Sequence, residues 1–388
     1  MINLERSKIP KRKQKIVGIY EGLRGINVGT TSICPVGEED DVGLTYRGYA
    51  IKELAENSTY EEVSYLLING DLPTEKQLNE WINQLMNNRI LPPLLREVLD
   101  SLPLSTHPMD MLRTCISLLG NIEPESNFEG KPQAIRILGI LPSIIGYWVA
   151  KTSSRDIQVP FNSSEKTIAG YLLHMIYGTE PSELNRKMMD TSLILYAEHE
   201  LAASTYATRV CASTLSDYYS CVISGIGTLA GPLNGGANEA AIKLLLTFID
   251  SDDAEKKIRQ QLDDKALIMG FGHAVYADYD PRSLIVKEIA RKMSIEQPKY
   301  RLLFSIAETV EKIMWEEKRI FPNLDFYTAT VYHMAQIDTS IFTPLFVVSR
   351  SSGWAAHILE QRMTNKLIRP TAKYIGPPER EYIQLNQR

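Results

Sequence analysis

The chain has 388 residues, 44% hydrophobic and 23% charged, which is enough to bury a large core, expected to be shared by two domains. Its net charge of −5 gives no reason to expect nucleic acid or an anionic membrane surface as a partner. The one basic run, Lys8-Ile9-Pro10-Lys11-Arg12-Lys13-Gln14-Lys15, lacks interleaved aromatic residues and reads as a solvated arm. Four dispersed cysteines (Cys34, Cys115, Cys211, Cys221) form no Cys-x-x-Cys pair and fit free thiols in a reducing cytoplasm. No secretory leader is expected, and the most apolar stretch, 137–150, reads as too short to span a bilayer.

Residues 1 to about 50 read as irregular or strand-like, with glycines alternating with β-branched residues around Val28-Gly29-Thr30-Thr31. Helical periodicity follows almost without interruption. Thr59-Tyr60-Glu61-Glu62 and Thr74-Glu75-Lys76-Gln77 both have the form of a capping box opening a helix. Apolar spacing then predicts helices over 109–119, 134–149, 167–176, 186–203, 214–229, 237–249, 284–293, 301–315, 329–336 and 353–363. The fold class is therefore mainly α. Two glycine-rich corners, Gly231-Pro232-Leu233-Asn234-Gly235-Gly236 and Gly270-Phe271-Gly272-His273, break the economy of short loops. They suggest a smaller hinged helical domain at 225–332, with 1–224 and 333–388 forming the larger one.

Several chemistries are disfavoured. Neither His-Glu-x-x-His nor paired Cys-x-x-Cys occurs, so no metal site is expected, and Glu198-His199-Glu200 on a helix would point its side chains to different faces. Gly270-Phe271-Gly272 is not a dinucleotide fingerprint, because Val275 stands where the third glycine belongs. There is no Gly-x-Ser-x-Gly and no phosphate-binding loop. What remains is a set of isolated polar residues in apolar settings: His199, His273, Arg282, Asp325 between Leu324 and Phe326, Arg350 and Arg369. A buried Asp325 would have a raised pKa suited to a base, and converging Arg and His side chains would bind a small di- or tricarboxylate. Spacing alone leaves their convergence open.

The ordered series Glu198-His199-Glu200, Gly231-Pro232-Leu233, Gly270-Phe271-Gly272-His273, Asp280-Pro281-Arg282, Asn323-Leu324-Asp325-Phe326-Tyr327 and Ser349-Arg350 resembles the citrate synthases and the related 2-methylcitrate synthases. With Gly22-Leu23-Arg24-Gly25 at one end and Arg369-Pro370-Thr371-Ala372-Lys373-Tyr374 at the other, the resemblance covers almost the whole chain, and its length resembles the compact dimeric archaeal and bacterial type. The resemblance implies a multi-helical fold, a cytoplasmic homodimer, closure of the small domain, and condensation of acetyl-CoA with oxaloacetate to citrate and CoA. It implies no resident cofactor, acetyl-CoA serving as co-substrate. It implies Asp325 as the base, His273 as the group that polarises and protonates the oxaloacetate ketone, and His199, Arg282 and Arg350 as carboxylate binders. Arg369 would reach into the neighbouring subunit's site.

Two departures from the family pattern stand on the thioester side. Asn234 follows Gly-Pro-Leu where the family places a histidine that donates to the enolate oxygen. Ala274 and Ala277 occupy places where basic residues for CoA are usual. Three readings follow: an enzyme whose rate is altered by Asn234, a catalytically degenerate dicarboxylate-binding paralogue with a regulatory or structural role, or an enzyme with another acyl donor such as propionyl-CoA.

Overall fold

A computed structural model describes residues 18, 21–23, 25–36, 43–155, 163–273, 275–276 and 278–388. The basic run at 8–15, Arg24, Ala274 and Ala277 lie outside the described residues. Among the described residues, sixteen α-helices supply nearly all regular structure, beside short 3-10 turns and one antiparallel pair, β1 (Thr45–Tyr46) with β2 (Tyr49–Ala50). In chain order these are α1 (Ile51–Asn57), α2 (Tyr60–Asn69), α3 (Glu75–Asn87), α4 (Pro93–Ser101), α5 (Pro108–Ile122), α6 (Lys131–Thr152), α7 (Ile168–Tyr177) and α8 (Glu183–Tyr196). There follow α9 (Ala203–Ser213), α10 (Tyr218–Leu229), α11 (Ala237–Leu245), α12 (Ser251–Asp263), α13 (Pro281–Glu296), α14 (Arg301–Lys318), α15 (Leu324–Met334) and α16 (Phe342–Met363). The mainly α expectation holds.

Local signals explain where several helices begin. Thr74 accepts from the Gln77 amide and Gln77 returns the bond, so the expected capping box is complete. At α2 it is half made: Thr59 accepts from the Glu62 amide at 3.3 Å, while the Glu62 carboxylate takes the Ser58 hydroxyl at 2.6 Å. The long α16 packs against α2, α5, α6, α8, α9 and α10. Its residues from Phe342 to Ile358 are buried on every face, the condition of a central core helix. A second group, in which α13 and α11 pack on α15 and α12 on α14, carries the glycine-flanked turn and the Asp325 helix.

The apolar stretch at 137–150 lies inside α6, a longer helix than expected. By length and composition α6 could cross a membrane, but 83% of its most apolar window is buried within the fold. Contacts divide the chain into a compact unit, Thr31–Ile368, with all sixteen α-helices, and a separate unit, Met1–Thr30 with Arg369–Arg388. Within the latter, 369–388 is exposed and free of α-helix.

Candidate active site

The apolar period that predicts one helix over 186–203 is interrupted. Helix α8 stops at Tyr196 because its last carbonyls find partners elsewhere. The buried Tyr46 hydroxyl lies 3.1 Å from the Ile194 carbonyl, 3.3 Å from that of Leu195 and 3.0 Å from that of Glu198, and Arg350 Nε donates to the Tyr196 carbonyl at 2.8 Å. Glu198-His199-Glu200 therefore sits in a loop and not on a helix, with Glu200 at φ 51.

Glu198 anchors that loop. His357 Nε2 lies 2.8 Å from Glu198 Oε1, both side chains fully buried. Arg209 Nη1, which can only donate, lies 2.9 Å from His357 Nδ1, so the ring hydrogen belongs on Nε2 and points at Glu198. A Cβ at Gly353 would collide with Glu198 Oε2 and the Ala197 carbonyl, so the loop presses onto α16 where that helix has no side chain.

The opposite wall is the 270–272 turn. Gly270 and Gly272 take φ of 87 and 75, and a Cβ at Gly270 would lie 3.0 Å from Phe326 Cβ. The Gly272 amide donates to the Phe321 carbonyl at 2.8 Å, the Asn323 amide to that of Gly270 at 2.9 Å, and Asn323 Nδ2 to that of Gly272 at 3.0 Å. These bonds pin the turn to the start of α15. His273 Nδ1 then accepts from the Val275 and Tyr276 amides at 3.1 and 3.2 Å, which leaves the hydrogen of a neutral ring on Nε2. Its ring meets that of His199 edge-on at 4.9 Å and stacks on Tyr276 at 4.5 Å, while the Tyr276 hydroxyl lies 3.0 Å from His199 Nε2.

Charge is balanced unevenly here. Asp280 caps α13, accepts Arg282 Nε at 3.0 Å and Nη2 at 2.8 Å, and also accepts the Leu324 amide at 3.1 Å, tying α13 to α15. Burial disfavours the Arg282 cation, but Asp280 outweighs it and raises the guanidinium pKa; burial likewise pushes the Asp280 carboxyl up, and Arg282 holds it below the usual value. Arg350 makes no ion pair among the described residues, although burial, which disfavours its cation, is partly offset by the nearby Glu198 carboxylate. Arg350 is 1% exposed, lies over the Phe346 ring at 4.9 Å, and its Nη1 is buried with no hydrogen-bond partner among the described residues. Burial, then the nearby Arg282, His273 and Arg350, hold His199 well below the usual histidine pKa and therefore neutral.

Asp325 stands in the first turn of α15, its amide bonded to the Asn323 side chain at 3.1 Å, and Tyr196 donates to its Oδ1 at 2.6 Å. Burial raises its carboxyl pKa to about 6, against the lowering effects of the Tyr196 hydrogen bond, Arg282 and Arg350. His199 is thus within electrostatic reach of His273, Arg282 and Arg350, and Asp325 within reach of the same two arginines. Two buried guanidiniums, one of them paired with Asp280, stand near a carboxylate poised near neutrality.

Asn234 is not bonded directly to this group. Its amide closes a turn on the Gly231 carbonyl at 2.9 Å, its Oδ1 is buried without a partner among the described residues, and its turn leads into α11, which packs on α15. Arg369 is exposed and belongs to the other compact unit. Beside the turn, a cavity of about 270 Å³ is lined by Leu262, Leu267, Ile268, Phe271, Met314 and Ile320, with Lys265 and Lys318 also in its wall. Among the described residues no cluster of three metal-ligating side chains occurs. Sequence reasoning missed Tyr196, Tyr276, His357 and the bridging role of Asp280. For Asp280 a signal existed, an aspartate directly before Pro-Arg at a helix start.

Residues 22–371 match the family model described as citrate synthase, C-terminal domain. The chain is 47% identical over 368 residues to the 2-methylcitrate synthase of Shewanella oneidensis, covering 95% of this chain and 97% of that protein. It is 40% identical over 375 residues to citrate synthase 2 of Bacillus subtilis, covering 95% and 98%. Its fold matches that of citrate synthase from the archaeon Thermoplasma acidophilum, solved as a ternary complex with carboxymethyl coenzyme A and oxaloacetate, with TM-score 0.89, 31% identity, and 96% and 100% of the two chains covered.

Proposed function

Because the chain belongs to the citrate synthase family, we propose that it joins the methyl carbon of acetyl-CoA to the ketone carbon of oxaloacetate, giving citrate and CoA. The observation that carries this reading is the Arg350 guanidinium, fully buried with Nη1 unpartnered among the described residues and only partly balanced by Glu198, within electrostatic reach of Arg282, His199 and a carboxylate of pKa about 6. A dianionic four-carbon acid supplies the missing charge by bidentate, charge-assisted hydrogen bonds. Asp325 removes a methyl proton, the resulting enolate carbon attacks the ketone, and the ketone oxygen takes the hydrogen from His273 Nε2. Water then attacks the thioester and CoA leaves as the thiol. No resident cofactor or metal is required, since the thioester itself acidifies the methyl group.

On the thioester side, Asn234 stands where the enolate needs a donor, and the cavity with Lys265 and Lys318 suits the apolar ring and phosphates of CoA. Asn234 can donate but is a poorer fit than a longer side chain, so the rate is altered. Residues 225–332 would act as a small domain closing over the substrates, and in a homodimer Arg369 would serve the partner subunit's site. A second reading, propionyl-CoA giving 2-methylcitrate, is favoured by the 47% identical relative of that name. A pocket discriminates one methylene by only roughly 10–200-fold, so both donors are expected to react.

The test is oxaloacetate-dependent release of CoA thiol, measured with acetyl-CoA and propionyl-CoA in parallel. We expect turnover with both, the ratio of kcat/KM naming the preferred donor. Calorimetric binding of oxaloacetate without any thiol release would instead establish a degenerate dicarboxylate-binding protein.

A further inference from the structure

We infer that Tyr196 is a positioning residue for the proton-abstracting carboxylate: its hydroxyl occupies Oδ1 of Asp325 and leaves Oδ2 to face the acyl methyl group. The inference rests on the proposed condensation for the role of Asp325, and on geometry for that of Tyr196.

Tyr196 is the last residue of α8 and 2% exposed. It touches both functional halves of the site. Its hydroxyl donates to Asp325 Oδ1 at 2.6 Å, and its carbonyl accepts Arg350 Nε at 2.8 Å. Its ring lies 4.3 Å from that of Phe346, tilted by 51°, and Phe346 in turn underlies the Arg350 guanidinium at 4.9 Å. One residue therefore sets the distance between the base and the guanidinium that holds the second substrate. A carboxylate in the first turn of a helix has a competing choice, folding back onto backbone N–H groups at the helix start. Asn323 already takes the Asp325 amide, and the phenol supplies a stronger, lateral partner.

The hydrogen bond has a chemical consequence with a definite sign. It favours the ionised carboxylate, so it opposes the burial that raises the Asp325 pKa. Burial, then Asp325 itself, hold the phenol well above the usual tyrosine pKa, so it remains a donor throughout the working range. Losing the bond should make Asp325 harder to ionise and free its carboxyl to turn.

The decisive variant is Tyr196→Phe, which keeps the ring against Phe346 and the backbone carbonyl to Arg350. The acid limb of kcat/KM, expected near pH 6 in the parent, should move up by about one pH unit, the worth of one charge-assisted hydrogen bond. At pH 8 kcat should fall about tenfold from lost orientation, while KM for oxaloacetate changes little. Replacing Tyr196 by 3,5-difluorotyrosine, which preserves shape and strengthens the donor, should move the limb downward. A purely structural tyrosine would move neither limb, and unshifted limbs in both proteins would overturn the inference. Carbon-13 titration of the Asp325 carboxyl, assigned with Asp325→Asn, reads the same shift without turnover. If the parent releases no CoA, the condensation reading fails, while the titration still decides the role of Tyr196.

Discussion

Around His199 and Arg282 the polar groups are buried and mostly tied to several elements at once, whereas the Asn234 turn and the cavity beside Phe271 lie nearer the surface. On the first side Asp280 joins the starts of α13 and α15 while holding Arg282, and the Glu198–His357–Arg209 chain fixes the His199 loop against α16. On the second side Asn234 Oδ1 finds no partner among the described residues, Leu233 beside it is 90% exposed, and the lysines of the cavity wall are on the surface. The difference follows from the ligands proposed for each side. A small dianion must be desolvated and fixed at both ends, which demands a rigid, charged pocket. A CoA thioester would be held along a long, partly solvated nucleotide, its reacting end completed by the proposed closure of residues 225–332.

The largest effect expected on this comparison comes from Asp325→Asn, which removes the carboxylate proposed as the base. CoA release should fall by roughly 10²–10⁴-fold, the usual worth of a positioned general base. Stability should move the other way. The native pKa of about 6 lies above that of an ordinary aspartate, so ionisation of this carboxyl opposes folding at pH above both values. At pH 8 the variant should therefore melt at the same temperature as the parent or higher, and a clear drop in melting temperature would mean Asp325 is there for the fold.

Next in size is Arg350→Gln, which breaks the anion side alone. Removing one partner of a buried charge pair costs about 2–5 kcal/mol, so oxaloacetate affinity by calorimetry should fall about a hundredfold or more. KM for the acyl-CoA should stay within a few fold. Equal losses for both substrates would show that the two sides are not separable.

Much of this division could be read from the residues alone, and what could not was hidden for two physical reasons. Glycine and proline punctuate the chain at His273, Arg282 and Asn234, so backbone chemistry advertised those loops, and Thr74 with Gln77 advertised the start of α3. The break after Tyr196 was hidden because the groups that satisfy the α8 carbonyls, Tyr46 and Arg350, come from far along the chain. The first half of α16 was hidden for another reason: buried on every face, it shows no amphipathic period. Tyr196 and Tyr276 look like ordinary aromatic residues of a helix and a loop, and their hydroxyls acquire meaning only when Asp325 and His199 arrive beside them. Long-range hydrogen bonding, which leaves no local pattern, hid the break after Tyr196 and the roles of the two tyrosines, while all-round burial hid the start of α16.

The smallest expected effect bears on the looser side. Asn234→His would place a longer donor at a position whose turn is already built: the Asn234 and Gly235 amides bond the Gly231 and Leu229 carbonyls at 2.9 Å, independently of the side chain. The replacement therefore need not disturb the backbone. Removing an enolate-type donor outright costs about 3–4 kcal/mol, but an asparagine amide still donates from a shorter reach, so only part of that is recoverable. We expect kcat to rise by about tenfold to a hundredfold with oxaloacetate affinity unchanged, since the new ring acts on a charge that develops only in the transition state. A rise confined to KM for the acyl-CoA would place the weakness in thioester binding. No change in either parameter would mean that Asn234 already serves the enolate oxygen as well as a histidine could.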